Sequence, residues 1–302
     1  MTMMTAMRRR KIAMKYEQTM TGFKAFNPDL TCRGKQYAEN TWFKEDGAES
    51  MCHEGVMHFC TNPFDVWRYY GAMYSVGDCE LTVYAQVIAK GKILTDKTKS
   101  ASTKLFVGDK LSLQQYLEIC KKYASQTVDS YTYVINGMKL FLKAEYYRVP
   151  KRIYGNDNII ITDDIACDVY GDKNVIFTNN ASVEVNGSHN CVFALNSSGH
   201  VQVSGTENFV YCGAENCLIE LLGVRHTVSS AAAADIEVYG SANTFNCKER
   251  CTISIRNSAY PETYLCQTPV KGFYQEKLQE LLYQCDKIED KLIKAEEDCY
   301  GK

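Results

Sequence analysis

The sequence predicts an α+β domain at the N-terminus, then a parallel β-solenoid of about 16–18 residues per coil, then a heptad helix at the C-terminus. Three observations carry this reading. A glycine, two variable residues and an asparagine recur at Gly155–Asn158, Gly171–Asn174, Gly187–Asn190, Gly205–Asn208, Gly223–His226 and Gly240–Asn243, with His226 standing in once for asparagine. The glycines lie 16, 16, 18, 18 and 17 residues apart, and self-similarity at a fixed period marks a repeat architecture. Alternating apolar pairs precede the corners, as in Val183/Val185, Val201/Val203, Ile219/Leu221 and Ile236/Val238, and another apolar residue follows each corner. That alternation is the period of a strand with one buried face. Finally, Tyr274, Leu278, Leu281, Cys285, Ile288, Leu292, Ala295 and Cys299 follow spacings of four and three, the seam of a coiled coil.

The chain divides accordingly into a disordered basic leader (1–19), an α+β domain (20–113), a helix and β-hairpin connector or cap (114–150), the solenoid (151–260) and an amphipathic helix (270–300). A coil this short cannot bury its apolar face alone, so coils stack, rung on rung. Glycine supplies backbone freedom at each corner. The asparagines are expected to form an internal ladder of amides from coil to coil rather than a ligand row, with His226 as a substitute corner residue. Calcium-binding solenoids use acidic, glycine-rich nonapeptides; none occurs here, so no calcium site is expected.

In the N-terminal part, Phe23–Phe26 reads as a strand, Asn62-Pro63 as a cap and first turn of a helix burying Val66, Trp67 and Tyr70, and Leu81–Ile88, Lys92–Leu94 and Lys104–Val107 as further strands. Leu111–Ala124 reads as a helix capped by Ser112, and Asn136-Gly137 as the turn of a hairpin between Tyr131 and Tyr147. The formal net charge of −2 gives no global pull toward nucleic acid or anionic membrane. No stretch is apolar and long enough to span a bilayer. The 14 cysteines are spread over the whole length, often at core positions such as Cys167 and Cys191, which suits reduced, buried thiols in a cytoplasm.

The segments FKAFNPDLTCRGKQY, CHEGVMHFCTNPFDVWRYY and AKGKILTDKTKSASTKLFVGD resemble an uncharacterised domain near the N-terminus of many phage and bacterial proteins. The resemblance implies a phage or prophage setting, in the bacterial host cytoplasm or with the virion, and supplies no activity. A more distant similarity is to the small ADP-ribosyltransferase fold, particularly the rifampicin-modifying kind. It would put Lys24 in that family's histidine position, His58 in its tyrosine position and Asp96 near its acidic one, with NAD as cofactor; two of the three residue types differ. Arg33, Tyr69 and Tyr70 are candidate binding residues of the same domain. Cys52, His58 and Cys60 offer thiol and imidazole for zinc, but their spacing matches no zinc knuckle, and no metal or cofactor is expected. The expected function is therefore non-enzymatic: binding or structure, through a protein partner, with the solenoid as rigid spacer or interaction surface and the 270–300 helix joining copies of the chain. The alternative is an ADP-ribosyltransferase-like effector.

Overall fold

The computed structural model describes residues 18–46, 55–124, 126–128, 132–142, 150–196, 199–249 and 251–256. Residues 1–17 of the basic leader and the whole heptad helix fall outside the described residues. A β-rich N-terminal domain precedes a β-solenoid of about seven turns over residues 132–255.

Two parallel eight-stranded sheets build the solenoid. One runs from Gln126–Val128 through Lys139–Leu142, Ile159–Asp163, Val175–Asn179, Cys191–Asn196, Phe209–Cys212 and Thr227–Ser230 to Thr244–Cys247. The other runs from Thr132–Val134 through Lys151–Tyr154, Cys167–Tyr170, Val183–Asn186, His200–Thr206, Cys217–Val224 and Ala234–Ser241 to Thr252–Ile255. Their registers stack like on like. Ile160, Ile176, Val192, Val210, Val228 and Phe245 form one column, and Ile153, Val169, Val185, Val203, Leu221 and Val238 the facing one. All twelve are buried in one core.

The predicted hairpin does not form. Thr132–Val134 pairs in parallel with Lys151–Tyr154, and Lys139–Leu142 pairs in parallel with Ile159–Asp163, so the segment is a further coil and the solenoid begins at 132 rather than 151. Asn136-Gly137 is a corner: Gly137, at φ 67°, occupies the left-handed column continued by Asp157, Lys173, His189, Glu207, Arg225 and Ala242. A left-handed residue serves a solenoid corner as well as a hairpin turn, so the dipeptide alone does not separate them.

Two features hold the corners. Gly187, at φ 152°, passes so close to Gly171 that a Cβ there would strike the Gly171 carbonyl oxygen. The asparagines form the expected ladder. Asn158 and Asn174 donate their backbone N–H groups to Asn174 Oδ1 (3.0 Å) and Asn190 Oδ1 (2.8 Å), and Asn190 donates to Asn208 Oδ1 (2.7 Å). His226 continues it: its Nδ1 accepts from the Asn208 N–H at 3.3 Å, and its own N–H donates to Asn243 Oδ1 at 2.8 Å.

Burial holds the His226 pKa below the ordinary histidine value, against the opposing pull of the Leu222 carbonyl at Nε2. The unfolded chain therefore takes up the proton first on acidification. The contribution of neutral His226 is complete above about pH 6.5 and is lost as pH falls below it. The urea midpoint of the wild type should fall between about pH 7 and about pH 5 by more than that of His226→Asn, which keeps an acceptor without a titration. Equal slopes would remove His226 from the ladder.

The N-terminal domain is built on an antiparallel sheet ordered Met20–Phe26, Val83–Thr95, Ser100–Val107, Thr41–Lys44, with Met57–Phe59 also on Ser100–Val107. The predicted caps are present. Asn62 Oδ1 accepts the Phe64 N–H at 3.0 Å ahead of the helix Pro63–Val66, and Ser112 and Gln115 form a capping box on the helix Leu113–Cys120. That second helix belongs to the domain core, not to a separate connector: Tyr116 stacks on Tyr84 at 4.0 Å and donates its hydroxyl to the Pro63 carbonyl at 2.7 Å.

The domain lies along the side of the solenoid. Ile159, Ile161, Val175, Phe177, Cys191, Phe193, Phe209 and Tyr211 turn away from the solenoid core and share one cluster with Phe23, Phe64, Trp67, Tyr84 and Tyr116. Trp67 stacks on Phe177 at 5.1 Å, Ser229 donates its hydroxyl to the Val76 carbonyl at 2.7 Å, and Lys121 pairs with Asp163. The solenoid is therefore a side platform under the domain rather than a spacer extending from it. The middle of one solenoid sheet is buried on both faces, and its strands Ile159–Asp163, Val175–Asn179, Cys191–Asn196 and Phe209–Cys212 carry apolar runs.

Candidate functional site

The N-terminal domain holds a cleft of about 180 Å³ whose walls include Lys24, Arg33, His58, Cys60, Tyr69, Tyr70 and Lys99. It adjoins a second recess of about 440 Å³ that shares Lys24, Cys32, Arg33 and His58 and adds Lys35, Tyr37 and Glu45.

Several short elements converge on it. Lys24 sits in the strand Met20–Phe26, paired opposite Ala85. His58 sits in Met57–Phe59, which is joined to the first strand through the Phe23–Cys60 bridge, where Phe23 N–H donates to the Cys60 carbonyl at 2.7 Å. Arg33 and Gly34, at φ 50° and 78°, form the two-residue turn between Thr31–Cys32 and Lys35–Gln36; two left-handed residues match the twist of a tight hairpin. That turn presents Arg33 at the cleft mouth. Tyr69 and Tyr70 follow the helix Pro63–Val66, both donating backbone N–H to the Val66 carbonyl at 3.0 Å. The Tyr69 hydroxyl meets Thr98 Oγ1 at 2.7 Å, and the Lys99 ammonium lies 5.5 Å from the Tyr69 ring centre, which ties the turn after Thr95 to the wall.

The Lys24 ammonium forms the floor. Its side chain is buried (7% exposed), donates to the His58 carbonyl at 3.0 Å, and lies 5.5 Å and 5.3 Å from the Phe26 and Tyr37 ring centres. Burial and the charge of Lys24 hold the Lys35 pKa down, while Lys35 also pairs with Glu45. Burial, aided by the Asp65 carboxylate, pushes the Cys60 thiol up to about 12, so it is a poor nucleophile at neutral pH. Tyr70 donates its hydroxyl to Cys32 Sγ at 3.2 Å, and burial raises its pKa.

Six residues singled out from the sequence, Lys24, Arg33, His58, Cys60, Tyr69 and Tyr70, thus meet in one cleft. Asp96 does not line it; its N–H donates to the Lys99 carbonyl at 2.9 Å, closing a turn that places Lys99 in the wall instead. Cys52 lies outside the described residues. Among the described residues no three of His, Cys, Asp and Glu converge as a metal-binding group. The ten described cysteines carry free thiols, eight of them buried, and no described helix is long and apolar enough to cross a membrane. Sequence reasoning missed Lys99 and the wall residue Phe23; the first was visible only as a lysine three places beyond Asp96.

The architecture is thus a β-rich domain with a cationic, tyrosine-lined cleft, docked sidelong on a parallel β-solenoid. Residues 20–119 match the family described as "Domain of unknown function (DUF7666)", which spans the whole cleft. No curated protein and no solved structure matches the chain.

Proposed function

We propose that this protein is a non-enzymatic binding protein, in the phage or bacterial-host setting that its N-terminal segments suggest. The cleft of the N-terminal domain takes the ligand, and the solenoid is a rigid platform that fixes the cleft walls. The observation that carries the reading is the convergence of Lys24, Arg33, His58, Tyr69, Tyr70 and Lys99 on one concavity from five separate stretches of chain; a concave site with a few convergent polar groups on apolar walls is the usual form of a small-molecule site. The poor nucleophilicity of Cys60 and the position of Asp96 outside the walls fit binding better than transfer chemistry.

Thermal shift of the full chain against a panel of anionic, neutral and cationic small molecules tests it, with Arg33→Gln and His58→Ala as cleft variants. At least one class should stabilise the wild type and bind each variant about tenfold more weakly, about 1.4 kcal/mol. A wild type that responds to no member of the panel would overturn the reading. Incubation with labelled nicotinamide dinucleotide should leave protein unlabelled; covalent label lost in His58→Ala would replace binding with ADP-ribosyl transfer.

A further inference from the structure

Resting on the binding reading, we infer that the cleft takes a phosphorylated small molecule, its phosphate seated on Lys24 and Arg33 and its body against the tyrosines. Lys24, Arg33 and Lys99 line the cleft, and no Asp or Glu does among the described residues, although the chain as a whole is slightly acidic. The charge is thus concentrated where a ligand would sit, a local field that favours anions.

Lys24 supplies the second, independent observation. A buried ammonium is costly unless it is paired and its donors are satisfied. Here, more than nine-tenths buried, it has one carbonyl acceptor for three N–H groups and no carboxylate partner among the described residues. The rings of Phe26 and Tyr37 offset part of the charge, yet they accept no strong hydrogen bond. An oxyanion on this floor would complete the set.

Charge matching selects phosphate over carboxylate. The two cations under the anion, Lys24 and Arg33, exceed the single charge of a carboxylate, whereas a phosphate monoester carries about −1.5 to −2 at neutral pH and presents three acceptor oxygens. Arg33, on a tight turn at the mouth, suits forked contact with such a group, and Lys24 acts as a point charge beneath it. Tyr69, Tyr70 and Phe23 give the remainder of the ligand flat apolar walls.

Phosphorus NMR line broadening and calorimetric titration of the full chain test the assignment, with inorganic phosphate, phenyl phosphate and neutral benzyl alcohol as probes at millimolar concentrations. Phenyl phosphate should bind, inorganic phosphate more weakly, and benzyl alcohol not at all. Lys24→Met and Arg33→Gln should each weaken phenyl phosphate at least about tenfold; because Arg33 is exposed on a turn, its variant reports binding even if Lys24→Met folds poorly. Equal affinity for the two phosphates would assign the site to free phosphate and overturn the organic body. Binding of benzyl alcohol without phosphate dependence would overturn the phosphate class while leaving a binding cleft. Silence of all three probes would also overturn it, and only silence across the wider panel would take the binding reading down as well.

Discussion

Asn190→Ala is expected to destabilise the protein by about 2–6 kcal/mol, because one truncation leaves two backbone groups, the Asn174 N–H and the Gly171 carbonyl, without their partners at about 1–3 kcal/mol each, while the Asn174 Nδ2 keeps its bond to the Gly155 carbonyl. Asn190 Oδ1 accepts both the Asn174 backbone N–H (2.8 Å) and the Asn174 Nδ2 (3.2 Å), and its own Nδ2 donates to the Gly171 carbonyl (3.0 Å). The Asn190 and Asn174 side chains are fully buried, so water cannot replace the bonds between them. The coil cannot shift to close the gap either, since the neighbouring Gly171 and Gly187 already stand at backbone contact. Urea denaturation of variant and wild type measures the difference. A loss below about 1 kcal/mol, that of an ordinary exposed polar truncation, would mean that the ladder decorates a stack held by apolar packing alone.

Trp67→Ala should cost about 3–5 kcal/mol, the usual range for deleting a large buried aromatic, and should change the form of unfolding as well as its midpoint. Trp67 is fully buried where domain and platform meet: it stacks on Phe177 of the solenoid, meets Phe64 and Tyr116 edge-on at 5.6 Å and 6.0 Å, and donates its indole N–H to the Tyr84 hydroxyl at 3.0 Å. Removing it leaves a cavity shared by both parts and an unpartnered tyrosine hydroxyl. The domain should then melt ahead of the solenoid, giving two calorimetric transitions. A single transition at a lower temperature would show that the remaining contacts, Ser229 with Val76 and Lys121 with Asp163 among them, suffice for coupling.

The solenoid was legible because its corners impose steric and hydrogen-bonding demands that few residues meet. Glycine answers the close approach of successive carbonyls, and asparagine answers a donor and an acceptor on adjacent coils. His226 was legible for the same reason, since an imidazole nitrogen can take the acceptor position. The side docking was written less openly. Its trace is the pair of apolar residues flanking four successive core positions, Ile159 and Ile161 around Ile160, Val175 and Phe177 around Ile176, Cys191 and Phe193 around Val192, Phe209 and Tyr211 around Val210. A strand with one solvated face would have put polar residues there, as Asp168 and Glu184 do beside Val169 and Val185 on the opposite sheet. The Asn136-Gly137 misreading followed from a turn preference that two backbone geometries share. In the cleft, residue types with unusual chemistry stood out, but the grouping did not: a two-residue turn brings Arg33 to the cleft that Lys24 lines, and Lys99 reaches the Tyr69 ring through the turn closed by Asp96. No local spacing encodes either approach.

The account depends on the N-terminal domain and the solenoid forming one body, with the cleft walls braced by the sheet beneath. Differential scanning calorimetry of the unmodified chain tests this most directly. One cooperative transition, with calorimetric and van't Hoff enthalpies in agreement, is the expected result. Two well-separated transitions, the lower one matching the loss of structure in residues 20–124, would contradict it.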